Sequence, residues 1–259
     1  MEKISRIYVL NLERFPDNWE RTKKNLIEVG VPEKKIKKYK AFDGLKRLPY
    51  GQKVYMSETN EEREKYMEKM YKKLREKKIY GSELKLKPGE IGHYISFYKM
   101  FRRALRKNYN HIMILEDDIY FPDPKKFLDD LYLYLKNVPK DWDILYFGMT
   151  RNYFTFGKGT LEKINNYVSK PSGSNRDDIY KGLINGNHAS IFNRKAMEFF
   201  VNNMMPMKYP TDVYFGKICS SQQLKCYSPH KSLIKPYSDV STTSTYKLEG
   251  TSFVKNPKK

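Results

Sequence analysis

Three consecutive carboxylates, Glu116, Asp117 and Asp118, follow the apolar run His111-Ile112-Met113-Ile114-Leu115, and Ile119, Tyr120, Phe121 and Pro122 come directly after them. Adjacent carboxylates repel and are costly to bury without partners, so they belong where a strand leaves a core. An apolar run without alternation marks a strand buried on both faces. In open α/β sheets, ligands collect at the carboxyl ends of such strands. Acids fixed there can receive a hard divalent cation, manganese or magnesium, able to neutralise the phosphates of a nucleotide. Alternation along the strand sends Glu116 and Asp118 to one side and Asp117 to the other, unless the chain bends at this point. The competing reading of the three acids is a solvated turn or the start of the next helix.

The elements that must position this cluster are legible on both sides of it. Arg6 to Leu12 reads as a buried first strand. Asp17, with Glu20 three residues on, predicts a capping box and a helix over 18–29 that faces Trp19, Leu26 and Val29 inward and stops at Gly30 and Pro32. Lys38 to Phe42 predicts a second strand. The stretch 47–87 reads as a helical insertion, with Met67, Met70, Tyr71 and Leu74 as its packed stripe. Pro88 to about Lys107 predicts a helix whose face carries Ile91, Tyr94, Ile95, Tyr98, Phe101 and Leu105 and which feeds the acid-bearing strand. Asp123-Pro124 opens a helix through Leu135. Asp143 to Gly148 and His188 to Phe192 are strands, Asn193 caps a helix to about Asn202, Tyr209 to Asp212 starts one through Ser220, and Ser232 to Ile234 is a late strand. Strands alternating with helices predict an α/β fold with a mainly parallel central sheet flanked by helices. Arg151 to Lys181 has no period and reads as loops. Residues 1–240 are expected to form one domain, with 241–259 a polar basic tail, partly disordered.

Fifty Lys and Arg against 30 Asp and Glu give a net charge of +20 and favour an anionic partner, whether nucleic acid, anionic membrane or phosphorylated substrate. A merely solvated lysine-rich surface explains the same number. Cys219 and Cys226 make neither a zinc spacing nor a disulfide framework, so a reducing compartment is expected. No signal peptide or membrane-spanning stretch is evident, which predicts a cytoplasmic protein, with peripheral membrane contact left open.

Four stretches, IYVLNLERFPDNWER, KPGEIGHYISFYKMF, MILEDDIYF followed by WDILYFG, and NGNHASIFNRKAMEFF, together resemble glycosyltransferase family 25. This is the family of bacterial lipooligosaccharide galactosyltransferases and procollagen galactosyltransferases. The resemblance runs in order along most of the chain apart from 47–87. It implies a GT-A type fold with a Rossmann-like nucleotide-binding half, a UDP-galactose or UDP-glucose donor, a divalent metal and inversion at the anomeric carbon. Glu116 to Asp118 stand where the family has its DXD-like element, and Leu12 to Arg14 with Asp43-Gly44 stand where GT-A enzymes hold the nucleoside. Ser96-Phe97 replaces a frequent Ser-His of the family, and Asn187 replaces its threonine.

Sugar transfer from a nucleoside diphosphate needs a grip on the nucleoside, neutralisation of the leaving diphosphate and a base for the incoming hydroxyl. Backbone groups at Val9, Asn11 and Leu12 are placed for the first task, with Arg14 on the nucleoside or a phosphate and Asp43 on the uracil or ribose. An ion pair for Arg14 and a turn role for Asp43 are the structural alternatives. Asp118 is the first metal ligand, with Glu116 or Asp117 sharing the cation or orienting the ribose, and His230 as a further ligand. Asp212 is the candidate general base, its alternative being a helix cap. His188 is the second catalytic candidate, touching either the donor sugar or a carboxylate, or else serving structure alone. The expected acceptor is a glycan or a hydroxylysine in a collagen-like protein. Two other readings compete: a basic nucleic-acid-binding protein, disfavoured because no specific nucleic-acid motif is present, and an inactive family member acting as a scaffold.

Overall fold

The computed structural model of the protein describes residues 4–150, 161–171 and 185–237. Along the chain these form β1 (Arg6–Asn11), α1 (Pro16–Glu28), β2 (Ile36–Lys40), α2 (Gly44–Arg47), α3 (Gly51–Met56), α4 (Asn60–Glu76) and α5 (Pro88–Arg106). There follow β3 (His111–Glu116), β4 (Ile119–Tyr120), α6 (Phe127–Asn137), β5 (Ile144–Thr150), β6 (Leu161–Lys163), β7 (Val168–Pro171) and β8 (Asn185–Asn193). The described chain ends with α7 (Arg194–Asn203), α8 (Thr211–Ser220), β9 (Cys226–Pro229) and β10 (Lys235–Pro236).

The central sheet has the order β2-β1-β3-β8-β5-β9-β7-β6, and β10 pairs separately with β4. β1 is parallel to both neighbours, and β5 is parallel to β9. β8 is inserted antiparallel between β3 and β5, and β7 runs antiparallel to β9 and β6. Within this sheet all strands but β8 and β7 therefore share one direction, which makes it the expected mostly parallel α/β sheet with one reversed strand at its centre. Alternation divides the core in two. Ile112, Ile114, Ile144, Tyr146 and Phe192 face α4, α5, α7 and α8. Met113, Leu115, Leu145, Phe147 and Ile191 face α1 and α6. Phe97, Phe101, Phe192, Phe200 and Phe215 form a knot on the first of these faces, with the Phe200 and Phe215 ring centroids 4.4 Å apart. That knot fixes α5, α7, α8 and β8 against one another. The edge strand β2 exposes Lys37, Lys38 and Lys40, charges that discourage pairing with another chain.

Several local expectations need correction. Asp17 does not cap α1: Pro16 occupies its first turn and Phe15 is the cap residue, with no side-chain bond. Proline suits that position because its missing N–H would have no helical partner anyway. Asp123 forms a turn, accepting from the Lys126 amide at 3.3 Å, and α6 starts only at Phe127. The stretch read as loops contains β6 and β7, while most of it lies outside the described residues. Cys226 to Pro229 is a strand that short polar sequence did not signal, and the late strand falls at 235–236. Cys219 and Cys226 are disulfide-bonded, against the expectation of reduced thiols. The tail 241–259 lies outside the described residues. Among the described residues no helix is long and apolar enough to cross a membrane.

Candidate active site

β3 ends at Glu116, and the chain bends through Asp117 and Asp118 before β4. The two carbonyls of the bend have assigned partners. The Thr22 hydroxyl of α1 donates to the Asp117 carbonyl at 2.7 Å, and the Tyr237 amide donates to the Asp118 carbonyl at 2.6 Å. The bend is thus pinned from α1 on one side and from the segment after β10 on the other. Despite the bend, the side chains separate as strand alternation predicts. Asp117 turns to the α1 side, where the Asn11 amide donates to it and also to the Phe15 carbonyl at 2.8 Å. Glu116 and Asp118 fall on the other side.

There, Glu116 Oε1 accepts from His93 Nε2 at 3.1 Å and Oε2 accepts from His188 Nδ1 at 2.6 Å. The His188 contact follows from register. Leu115 pairs with Ala189 on the antiparallel β8, so the next step along each strand sets Glu116 beside His188. His93 comes from the second turn of α5. Its approach depends on the bare backbone of Gly92, where a Cβ would lie 2.5 Å from the Phe42 carbonyl oxygen and 2.8 Å from the Gly44 nitrogen. The other His93 nitrogen, Nδ1, lies 2.9 Å from the Thr211 hydroxyl at the start of α8. A carboxylate only accepts, so Nε2 carries the proton toward Glu116 and, in the neutral ring, Thr211 donates to Nδ1.

One nitrogen of His188 and one oxygen each of Glu116 and Asp118 lie within 4.8 Å of one another, the spacing of ligands around a single ion. Asp118 Oδ1 is buried with no hydrogen-bond partner. Burial would raise the Glu116 carboxyl, but the His188 and His93 imidazoles outweigh it and hold the group well below the usual carboxylate range. Burial and the adjacent Glu116 charge push Asp118 up to about 6. Burial and the neighbouring Asp118 push Asp117 up to about 7, with the Asn11 hydrogen bond opposing. Burial lowers the His188 imidazole, yet Glu116 outweighs it and the net direction is upward. Two oxygen donors and an imidazole, with an unpartnered buried oxygen and surplus negative charge, fit a divalent cation of the manganese type.

Other residues of interest are placed as follows. Arg14 Nη1 lies 3.4 Å from Asp43, and Asp43 caps α2 by accepting from the Leu45 amide at 3.0 Å. The ion pair is thus largely buried rather than at the surface, and Asp43 is a helix cap rather than a turn residue, at the carboxyl ends of β1 and β2. Val9 lies inside the sheet with Lys38 and Leu115 as neighbours, so of the first-strand residues only Asn11 and Leu12 reach the rim. Asp212 is in the first turn of α8 and is not its cap; Oδ1 accepts from the Val213 amide at 2.9 Å and Oδ2 from the Gly186 amide at 3.2 Å. His230 is not brought to the acids. Its Nδ1 is 2.6 Å from the Ser169 hydroxyl and its Nε2 donates to the Asn165 carbonyl at 2.8 Å, which holds the β7–β9 edge together. His93 and Thr211 were not singled out from sequence. The available signal was that His93 precedes Phe97 by one turn on the buried stripe that continues through Met100, Phe101 and Ala104.

Comparison with known proteins adds an independent line. The family model described as glycosyltransferase family 25 (LPS biosynthesis protein) matches residues 4–215. A curated protein of Anopheles gambiae, described as a glycosyltransferase 25 family member, is 28% identical over 163 residues, covering 57% of this chain and 22% of its own length. The chain thus spans about a fifth of that relative. A solved structure described as mannose-1-phosphate geranyltransferase from Thermus thermophilus is similar with TM-score 0.38 and 10% identity, covering 88% of this chain and 73% of its own. With the family match running from before β1 into α8, and so across Glu116, His188 and Asp212, this chain belongs to glycosyltransferase family 25.

Proposed function

We propose that the protein is a metal-dependent glycosyltransferase of GT-A type that moves a hexose, galactose or glucose, from a UDP-sugar to a hydroxyl with inversion. The acceptor is a glycan or a hydroxylysine of a collagen-like chain. The observation that carries this reading is the group Glu116, Asp118 and His188 at the carboxyl end of β3, with the unpartnered Asp118 Oδ1 among its atoms. These three residues would hold the cation. When bound there, a manganese ion supplies Lewis-acid neutralisation of the leaving diphosphate.

The chain's own residues supply the rest. Arg14 and Asp43 at the ends of β1 and β2 hold the nucleoside, the guanidinium stacking or bonding in the plane and the carboxylate accepting from uracil or ribose. Asn11 fixes Asp117 so that its charge stays off the cation side. Asp212, anchored by the Gly186 and Val213 amides, takes the acceptor hydroxyl proton. As it does so, the acceptor oxygen bonds to the anomeric carbon and the bond from that carbon to the diphosphate oxygen breaks. Inversion requires this base on the face opposite the diphosphate.

Thermal denaturation with UDP and manganese tests the reading. Saturation at about 100 times Kd stabilises by about 2.7 kcal/mol. For 259 residues that is about 5 °C in Tm. Asp118→Ala should abolish the shift. No shift with wild-type protein at millimolar UDP and manganese would overturn it. A screen of UDP-sugars for UDP release then assigns the hexose.

A further inference from the structure

Hydrogen bonds around the acid cluster close into a ring that joins four elements. His188 on β8 donates to Glu116 on β3. His93 on α5 donates to the other oxygen of Glu116 and receives Thr211 on α8. Asp212, the next residue of α8, accepts from Gly186, two residues before His188 on β8. Every link but His93 joins an element to its neighbour in the sheet or to the strand beneath it. His93 alone spans from the carboxylate to α8. Its ring packs on Phe97 with centroids 4.9 Å apart, so its orientation is fixed by the same knot of aromatic rings that holds α5 in place.

We propose that His93 is a positioning residue that sets the orientation of the Glu116 carboxylate and, through Thr211, ties the first turn of α8 and its Asp212 to the cation-binding group. The inference rests on the metal-dependent reading above. Glu116 has two histidine donors, one per oxygen, and so cannot rotate about its terminal bond without breaking one of them. His188 is itself in the ligand group, whereas His93 is outside it. His93 therefore occupies the place of an outer partner that aims a ligand, the kind of residue whose loss weakens metal binding about 10–100-fold.

Manganese titrations of the intact chain, read by the electron paramagnetic resonance signal of the free ion, separate this role from mere packing. The series is wild type, His93→Ala, His93→Gln, Thr211→Val and the double variant His93→Ala/Thr211→Val, each with its Tm. His93→Ala should weaken manganese about 10–100-fold while remaining folded, and His93→Gln, which keeps a polar group in the gap, should recover part of the loss. Thr211→Val should weaken it a few-fold, and the double variant should match His93→Ala within about twofold, because Thr211 acts through His93. Unchanged affinity in folded His93→Ala, additive losses in the double variant, or losses that only follow the fraction unfolded would each overturn the role. Absence of manganese binding by the wild type would instead remove the metal site, and this role with it.

Discussion

Asp117 offers the sharpest test of the electrostatics. The residue is 9% exposed, and in the fold its carboxyl is pushed from an ordinary 3.8 up to about 7 by burial and by Asp118. An acid whose pKa rises on folding binds its proton more tightly in the native state. Its favourable contribution is complete below the unfolded value and is lost as pH rises through the folded one. Over that window the loss is at most about 4 kcal/mol. Relaxation around the charge makes about 2 kcal/mol a realistic part of it. Asp117→Asn removes the titration and keeps the shape. It also brings an amide donor next to Asn11, whose Oδ1 is buried and unpartnered. Wild type and variant should be melted in chelator from pH 5 to pH 8.5, above the range in which Glu116 protonates. At pH 5, already above the unfolded value, about a third of the loss is present and the variant should lead by less than about 1 kcal/mol. By pH 8 the variant should be the more stable by about 2 kcal/mol, or about 4 °C for a chain of 259 residues. A gap that does not widen with pH, or a variant less stable than wild type at pH 8, would refute the reasoning.

Manganese affinity at the proposed site should fall as pH drops through neutrality to 5, as the His188 imidazole, raised above its ordinary value, and then Asp118, at about 6, take up protons that compete with the ion; calorimetric titrations across pH 5 to 8 read this directly. Gly92→Ala should destabilise strongly or prevent folding, since its Cβ would meet backbone on both Phe42 and Gly44; circular dichroism and urea melts check it. Asp143, 2% exposed, accepts from the Lys225 amide and Asn193 and pairs with Lys195 at 2.9 Å. Asp143→Ala leaves the Lys225 amide without its acceptor, while Asn193 keeps the Trp142 carbonyl and Lys195 turns to water, and should cost about 1–3 kcal/mol in urea denaturation. Leu115→Ala, in the fully buried centre of β3, should cost about 2–5 kcal/mol by the same assay.

The strands, helices and acid cluster were readable because burial period and acid placement are local properties. Ile112 to Leu115 announce a two-sided strand, and the acids after them announce its end. The separation of Asp117 from Glu116 and Asp118 was expected only of an unbent strand; the chain bends after Glu116, and it is the Asn11 amide that holds Asp117 apart. What sequence did not reveal is which distant residues meet the acids. His188 and His230 are equally plausible histidines near late strands. Only the antiparallel register of β8 puts the first beside Glu116, while the β7–β9 edge claims the second. His93 was hidden because a polar residue on an amphipathic helix reads as boundary, and its partners lie 23 and 118 positions away. The disulfide was missed for the same reason: seven residues of separation say nothing about whether a helix end and a strand start approach to 5.5 Å.

The reversal of β8 has a kinetic corollary. β1, β2 and β3 are early in the chain and neighbours in the sheet, so they can associate before the rest. Glu116 then waits for a partner 72 positions later, delivered only when the wrong-way strand slots between β3 and β5. Burying that carboxylate before the imidazole arrives is uphill, so the last gap in the sheet and the proposed cation site should close in one event. During refolding, ion uptake should lag secondary structure and coincide with docking of the central reversed strand.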